Sequence, residues 1–272
     1  MHFFNIPKRL KDSISLAFAI FAIIGTILAI SNITLDSILG NDYNWITKLL
    51  IVCSVFIGIV FISYICKYYI VQKTGISIDI REIKVNIRQG DIFTESGWKV
   101  IPFNENYDTD VDDITIAHNT LNGMFIDKYV DDIDELKRKI AQETDDNTIY
   151  KRKTIKGTPR YPLGRIITYK DYMLLAFSHF IKNEARLTQK DYEECLRVMW
   201  TEICRTYANK PIFIPLLGSG ITRFDGTPNK SRSDLLKCML CTLRTSNVCI
   251  NQPITIVLTK ETLEKINLYE IK

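Results

Sequence analysis

The chain has 272 residues, of which 46% are hydrophobic, and a formal net charge of +4 at pH 7. This length is enough for one or two domains with a sizeable core. Residues 1–74 hold six of the 35 Lys/Arg and three of the 31 Asp/Glu, so residues 75–272 hold 29 and 28 and are close to neutral. Bulk electrostatics therefore give no reason to propose a nucleic-acid partner.

Two apolar stretches come first, at residues 14–33 and 49–66. The first has no charged side chain, and 20 residues of helix span roughly 30 Å, the thickness of a bilayer's hydrocarbon core. Lys48 marks the start of the second, because a Lys near a membrane-helix centre costs about 3 kcal/mol. Neither stretch has the polar stripe of an interfacial helix or the cleavage site of a signal peptide, and β-branched residues on all sides argue against two buried core helices. Residues 1–74 are thus predicted to form a transmembrane hairpin.

The positive charges predict the orientation of this hairpin. Lys8, Arg9 and Lys11 precede the first stretch, and Lys67 and Lys73 follow the second, whereas residues 34–44 contain two Asp and no Lys or Arg. The positive-inside rule therefore places both termini in the cytoplasm. The seven cysteines are irregularly spaced and do not suggest a disulfide framework.

From residue 75 onward, strand and helix patterns alternate. Alternating or buried apolar runs predict strands at residues 83–87, 99–103, 148–153, 164–169, 172–180, 211–217 and 254–258. Helical spacing predicts helices at residues 130–140, from 188 (with Thr188 as N-cap) to 207, 233–245 and 262–268. The sequence therefore predicts an α/β domain at residues 75–272, with a mixed, largely parallel sheet flanked by helices.

Groups able to carry chemistry are few. Residues 217–222 (Leu-Gly-Ser-Gly-Ile-Thr) connect a strand to a helix, and successive N–H groups in such a loop can hold a diphosphate, although a plain structural turn uses the same glycines. His179 lies in an apolar strand and is interpreted as a hydrogen-bonded core residue, while His118 is placed in a loop where it could touch a ligand. No catalytic set and no metal site are predicted: the acidic residues 108–113 are interpreted as a solvated loop, and Cys238 and Cys241 as packing residues of a helix.

Four segments in order carry a family resemblance. Residues 85–93 (VNIRQGDIF) resemble the first strand and Gly-Asp-Ile turn of macro domains, the ADP-ribose-binding fold. Residues 100–106 (VIPFNEN) stand where that family has a strand ending in a ribose-contacting Asn, residues 120–125 (TLNGMF) resemble its first ligand loop, and residues 218–222 resemble its diphosphate loop. The usual Asn-Ala-Ala-Asn and three-glycine run are absent, so hydrolysis of ADP-ribose is in doubt and the ribose contact is either Asn104 or Asn106.

The resemblance implies a set of ligand-binding residues. Asp91 would accept a hydrogen bond from the adenine amino group, and Ile92 would supply a backbone N–H. The other residues implied are Asn104, Asn106, Asn122, Gly123, Gly218, Ser219, Gly220, Ile221 and Thr222.

A two-helix hairpin before such a domain resembles the membrane effectors of type II Thoeris antiphage systems. This resemblance implies a bacterial inner-membrane protein without a cofactor. Its macro domain would bind an ADP-ribose derivative, of the histidine-ADP-ribose type, made by a TIR-domain enzyme. Ligand-induced homo-oligomerisation in the lipid bilayer would then disrupt the membrane. Two alternatives remain open: a membrane-tethered ADP-ribosyl hydrolase, and a scaffold that docks ADP-ribosylated proteins at the membrane.

Overall fold

The computed structural model describes residues 7–40, 43–142, 153–155, 158–226 and 230–271. The chain divides into two compact units, Met1–Gly75 with Asn267–Lys272, and Ile76–Ile266. The last six residues therefore belong with the N-terminal unit, whereas the sequence assigned them to the α/β domain. The short 3-10 helix of this segment, Leu268–Glu270, has Leu268 and Tyr269 buried. This packing groups the segment with the first unit, and a sequence pattern alone does not reveal it.

The first unit is built on two long helices, α1 (Lys8–Ile30) and α3 (Trp45–Thr74), with a single short turn of helix, α2 (Leu35–Leu39), between them. Both long helices are long and apolar enough to cross a membrane. They are longer than predicted at the ends that carry Lys8 and Lys73, because polar residues there extend the helix beyond its apolar part. Phe18 of α1 packs on Phe56 of α3, with ring centroids 4.9 Å apart.

The second unit is organised around one sheet. Its strands are β1 (Ile76–Ile80), β2 (Ile83–Gln89), β3 (Trp98–Asn104), β6 (Ile166–Tyr169), β7 (Tyr172–Ile181), β8 (Glu184–Leu187), β9 (Ile212–Pro215), β10 (Arg223–Phe224) and β11 (Ile254–Leu258). The strand order is β1-β2-β11-β9-β3-β7-β8-β10, with β6 paired to β7. The five strands from β2 to β7 in this order are parallel, and β1, β6 and β8 add antiparallel partners. A separate hairpin is formed by β4 (Lys153–Ile155) and β5 (Thr158–Arg160).

Helices cover both faces of this sheet. They are α4 (Leu121–Tyr129), α5 (Ile133–Gln142), α6 (Gln189–Thr206), α7 (Arg232–Thr245) and α8 (Lys260–Glu264). The capping box predicted for α6 is present, since Thr188 accepts from the Asp191 N–H at 3.1 Å and Asp191 accepts from the Thr188 N–H. Buried Tyr192, Leu196 and Trp200 attach α6 to the sheet, and a second cluster around Phe125 and Leu136 lies under α4 and α5.

The mixed, mostly parallel sheet with flanking helices confirms the predicted fold class. The strands predicted at 83–87, 99–103, 172–180 and 254–258 are present with bounds within three residues. The strand predicted at 148–153 lies almost entirely outside the described residues. Several described elements were not predicted, among them β1, the polar strand β8, the two-residue strand β10, and α4, which replaces a predicted loop. The edge strand β1, and the short strand β8 between β7 and β10, owe their conformation to pairing more than to their own sequence.

Candidate functional site

A cavity of about 900 Å³ opens at the carboxyl ends of the parallel strands. This is the edge at which open α/β sheets bind ligands, because the loops that follow adjacent strands meet there. We call it the carboxyl-edge cavity. Its lining includes residues 90–93 after β2, residues 215–222 after β9, Thr259 and Lys260 after β11, Asn104 from β3 and Ser178 from β7.

Asp91 stands at one end of this lining, directly after β2. The adjoining Gly90 N–H donates to the Leu258 carbonyl at 3.1 Å, which ties the turn to β11. One Asp91 carboxylate oxygen accepts from the Phe93 N–H at 3.0 Å and caps the 3-10 helix Ile92–Thr94. Among the described residues, the other oxygen has no donor. Exposed Asp91 therefore offers one free, charged acceptor to a ligand.

In the loop of residues 216–222, hydrogen bonds hold the first residues, and the N–H groups of the later residues are free. The Leu216 carbonyl accepts from both the side-chain hydroxyl of Ser219, at 2.6 Å, and its N–H, at 3.3 Å. Gly218 has φ +82°, a conformation that side chains disfavour. In the part of the chain that the structure describes, the N–H groups of Gly220, Ile221 and Thr222 donate to no acceptor. Successive free N–H groups form a concave anion-binding surface.

The segment predicted as the first ligand loop is the first turn of α4. The Thr120 side chain caps this helix by accepting from the Gly123 N–H at 3.2 Å. Asn122 lines the cavity, but Gly123 does not. A Cβ at Gly123 would lie 2.3 Å from the Ala117 carbonyl oxygen, so this glycine serves the close approach of two backbone segments. The prediction that Gly123 contacts the ligand is therefore replaced by a structural role for this glycine.

Asn104 and Asn106 were the two alternatives for the ribose contact. Asn104 lines the cavity and Asn106 does not. The Asn104 carboxamide oxygen accepts from the N–H groups of Asn106 and Asp108, and its nitrogen donates to Asp108 at 2.7 Å. The turn after β3 is thus held by Asn104 itself. The Asn106 carboxamide oxygen is buried and, within the described residues, has no partner.

A charged cluster lies beside Asn104. Glu105, 5% exposed, accepts from Arg160 at 3.0 Å and contacts His179 Nδ1 at 2.9 Å. The hydrogen bond that Glu105 accepts from the protonated imidazole raises the pKa of His179 above its ordinary value. His179 is hydrogen-bonded, as the sequence predicted, but it is half-buried and not a core residue. Glu105 was missed, although an acidic residue directly after a mostly buried strand is a signal that it needs a buried partner.

His118 is exposed, pairs with Asp127 at 2.7 Å, and is not among the residues that line the cavity. The hydrogen bond from Asp127 raises its pKa. Within the acidic segment, Asp112 accepts from the N–H groups of Ile114 and Thr115, as expected for a loop residue. Sequence reasoning also missed further polar residues that line the cavity, among them Lys128, Asn183, Thr259 and Lys260.

Nine of the eleven residues predicted as ligand-binding meet at this cavity: Asp91, Ile92, Asn104, Asn122, Gly218, Ser219, Gly220, Ile221 and Thr222. They come from four separate segments that the parallel topology brings to one edge. The arrangement offers an acceptor at Asp91, free N–H donors at residues 220–222 and apolar lining residues such as Phe93 and Leu217. It suits an elongated ligand with an amino-bearing ring and a phosphate group.

The chain is similar in sequence to known proteins. A family model described as "Thoeris protein ThsA, Macro domain" matches residues 85–259. The Thoeris protein ThsA of Bacillus amyloliquefaciens (strain Y2) is 37% identical over 234 residues, which cover 82% of this chain and 78% of that protein. A solved Oceanobacillus iheyensis macrodomain mutant has a TM-score of 0.44 and 15% identity, and covers 72% of this chain and 94% of its own. The predicted resemblance is confirmed, and the chain belongs to the ThsA macro-domain family of Thoeris proteins.

Proposed function

We propose that this protein is a membrane-anchored effector of antiphage defence whose macro domain senses an ADP-ribose-derived signal. The signal is of the histidine-ADP-ribose type and is made by a TIR-domain enzyme. Its binding drives homo-oligomerisation, and the clustered hairpins disrupt the bacterial inner membrane. Both termini are cytoplasmic, and the protein needs no cofactor for this role.

The observation that carries the proposal is the pairing of two features in one cavity. The free carboxylate oxygen of Asp91 suits the amino group of adenine, and the free N–H groups of residues 220–222 suit a diphosphate. Polar side chains that also line the cavity, Asn104, Asn119 and Asn183, are available for a ribose and a polar substituent on it. These groups support binding, and none of them is assigned a catalytic role.

The link between sensor and membrane supports the output step. Helix α3 continues to Thr74, Gly75 ends it with φ +75°, and β1 begins at Ile76. Only Gly75 separates the last residue of α3 from the first residue of β1 along the chain, so domains that assemble also bring their hairpins close together. A ligand that binds the assembled state more tightly would therefore gather the hairpins as it gathers the domains.

The test uses the full chain in lipid vesicles loaded with a fluorescent dye. ADP-ribose and its histidine conjugate are added, and calorimetry, chromatography of the nucleotide and dye release are followed together. We expect binding, an intact nucleotide and ligand-dependent release. Rapid breakdown of the nucleotide would favour the hydrolase. Binding without assembly or release would favour the scaffold, and dye release that does not depend on ligand would contradict a sensor.

A further inference from the structure

The direction of the peptide between Ser219 and Gly220 decides what this loop offers to an anion. In a trans peptide the carbonyl and the N–H point in opposite directions. If the Ser219 carbonyl is held away from the carboxyl-edge cavity, the Gly220 N–H is turned toward it. With the opposite direction, a carbonyl oxygen would face the anion and repel it.

Arg232 holds this carbonyl. Its terminal nitrogen Nη2 donates to the Ser219 carbonyl oxygen at 3.3 Å. Arg232 itself is not among the residues that line the cavity, whereas Ser219 and Gly220 are. The carbonyl therefore points to a group outside the lining, as the free Gly220 N–H requires.

The position of Arg232 is itself well fixed. It is the first residue of α7, which begins at the N-cap Ser231 and is anchored in the core by Leu235 and Leu236. The Nε atom of Arg232 is buried and, among the described residues, has no hydrogen-bond partner. Lys265 and, to a smaller extent, the charge of Arg232 lower the pKa of Glu261, so this charge acts on acidic groups around it; it would also favour an anion on the other side of the loop.

We infer that Arg232 is a positioning residue for the diphosphate of the ligand: it orients the Ser219–Gly220 peptide and adds positive charge behind it. Sequence reasoning confined the anion site to residues 218–222, and Arg232 extends it to the next helix. The inference rests on the proposed function, because it presupposes a ligand with a diphosphate. It adds one expectation of its own: replacing Arg232 should weaken the binding of ligands that carry phosphates and should not weaken the binding of ligands that lack them.

The experiment measures affinity by calorimetry with the full chain in detergent micelles. The probes are ADP-ribose and adenosine, which lacks the phosphates and is measured by competition. Arg232→Met keeps the length and apolar stem of the side chain but loses the donor and the charge. We expect about a tenfold loss of affinity for ADP-ribose, the scale of one charge-assisted hydrogen bond, and no loss for adenosine. Arg232→Lys should recover part of the loss, since a Lys keeps the charge but not the planar fork.

Arg244→Met, in the last turn of the same helix, is the matched control and should bind both probes as the unmodified chain does. If Arg232→Met does not fold, Arg232→Gln takes its place, with the same expectation. Unchanged ADP-ribose affinity in a folded Arg232 variant would overturn the inference, and so would an equal loss for both probes, which would indicate general loosening of the loop. Failure of the unmodified chain to bind ADP-ribose would instead overturn the proposed function, and this inference with it.

Discussion

The hydroxyl of Tyr269, in the 3-10 helix near the end of the chain, donates a hydrogen bond to the carboxylate of Asp12 in α1. Burial, and next the hydrogen bond to Asp12, raise the pKa of Tyr269 to about 12. The phenol is therefore protonated at neutral pH: its contribution to stability is complete below about pH 10 and is lost as the pH rises through about 12. Thr259 and Lys260, at the cavity, precede this segment closely in the chain.

The first prediction is that Tyr269→Phe loosens the C-terminal segment of the hairpin unit. Loss of the hydrogen bond should cost about 1 kcal/mol and raise amide hydrogen exchange in residues 267–271. The control is Tyr69→Phe, because Tyr69 is a 67% exposed tyrosine of α3. Equal exchange in the two variants would show that the contact with Asp12 does not hold the segment.

The second prediction separates the two oxygens of Asp91. In Asp91→Asn the amide oxygen can still accept from the Phe93 N–H, so stability should hardly change. The oxygen that was free to accept is replaced by an NH₂ group, which is a donor. This group would face the adenine amino group, which is also a donor. Affinity for ADP-ribose should therefore fall by about tenfold to a hundredfold.

A change of base provides the control for this variant. Hypoxanthine carries a carbonyl acceptor where adenine carries its amino group. The inosine analogue of ADP-ribose should thus bind Asp91→Asn better than it binds the unmodified chain. If calorimetry shows the same base preference in both proteins, Asp91 does not contact the base.

The third prediction contrasts two glycines of one loop. A Cβ at Gly220 meets no atom within 4 Å, so Gly220→Ala should change the free energy of unfolding by less than about 0.5 kcal/mol. Gly218 has φ +82°, and Gly218→Ala should cost about 1–2 kcal/mol. Gly220→Glu should fold but lose ADP-ribose binding, because its carboxylate would occupy the anion position. Thermal denaturation and calorimetry check both effects, and normal binding by Gly220→Glu would remove this loop from the site.

Local motifs allowed the sequence to predict part of this site, and tertiary pairing explains the rest. Asp91 and residues 218–222 follow buried strands within a few residues, so strand patterns and turn glycines identify them. Lys260 and Asn183 also follow largely buried strands but have no turn glycine beside them. They reach the cavity because β11 is inserted between β2 and β9, and because β8 pairs with β7.

The same distinction explains the errors. Gly123 matches a ligand-loop pattern, yet its need for a glycine comes from the Ala117 carbonyl, a contact made only once α4 forms. Asn104 and Asn106 are equivalent by spacing, and only the folded turn after β3, in which Asn104 Oδ1 accepts from two backbone N–H groups, leaves Asn104 and not Asn106 in the lining of the cavity. Within the fold, strongly periodic strands were predictable, while β8 depends on its partners.

The fourth prediction concerns pH. His179 faces Glu105, Asp191 and Arg160, and the pKa of His179 is raised mainly by the hydrogen bond with Glu105. A raised folded-state pKa means that protonated His179 stabilises the fold; the contribution is complete below about pH 6.5 and is lost as the pH rises through the folded-state pKa.

His118 also has a raised pKa, so the comparison is made in a His118→Gln background. There, the Tm should decline as the pH rises above about 6.5, and adding His179→Gln should flatten that decline. The measurement is thermal denaturation from pH 6 to 8.5 at constant ionic strength. Parallel Tm profiles with and without His179 would show that its pair with Glu105 does not stabilise the domain.

The fifth prediction is the orientation of the hairpin. The short segment between the spans carries Asp36, and Lys48 at the start of α3 forms an ion pair with it. The negative charge of Asp36 offsets the charge of Lys48, the one Lys near the connecting segment. The other basic residues of the hairpin lie at the opposite ends of the two helices: Lys8, Arg9, Lys11, Lys67 and Lys73. A cysteine introduced by Ser37→Cys should therefore react with a membrane-impermeant maleimide added to spheroplasts. The exposed native Cys241 and Cys249 serve as internal probes of the macro domain and should react only after the membrane is permeabilised. Labelling of Cys241 or Cys249 in intact spheroplasts would place the sensor outside the cell, where a cytoplasmic nucleotide signal could not reach it.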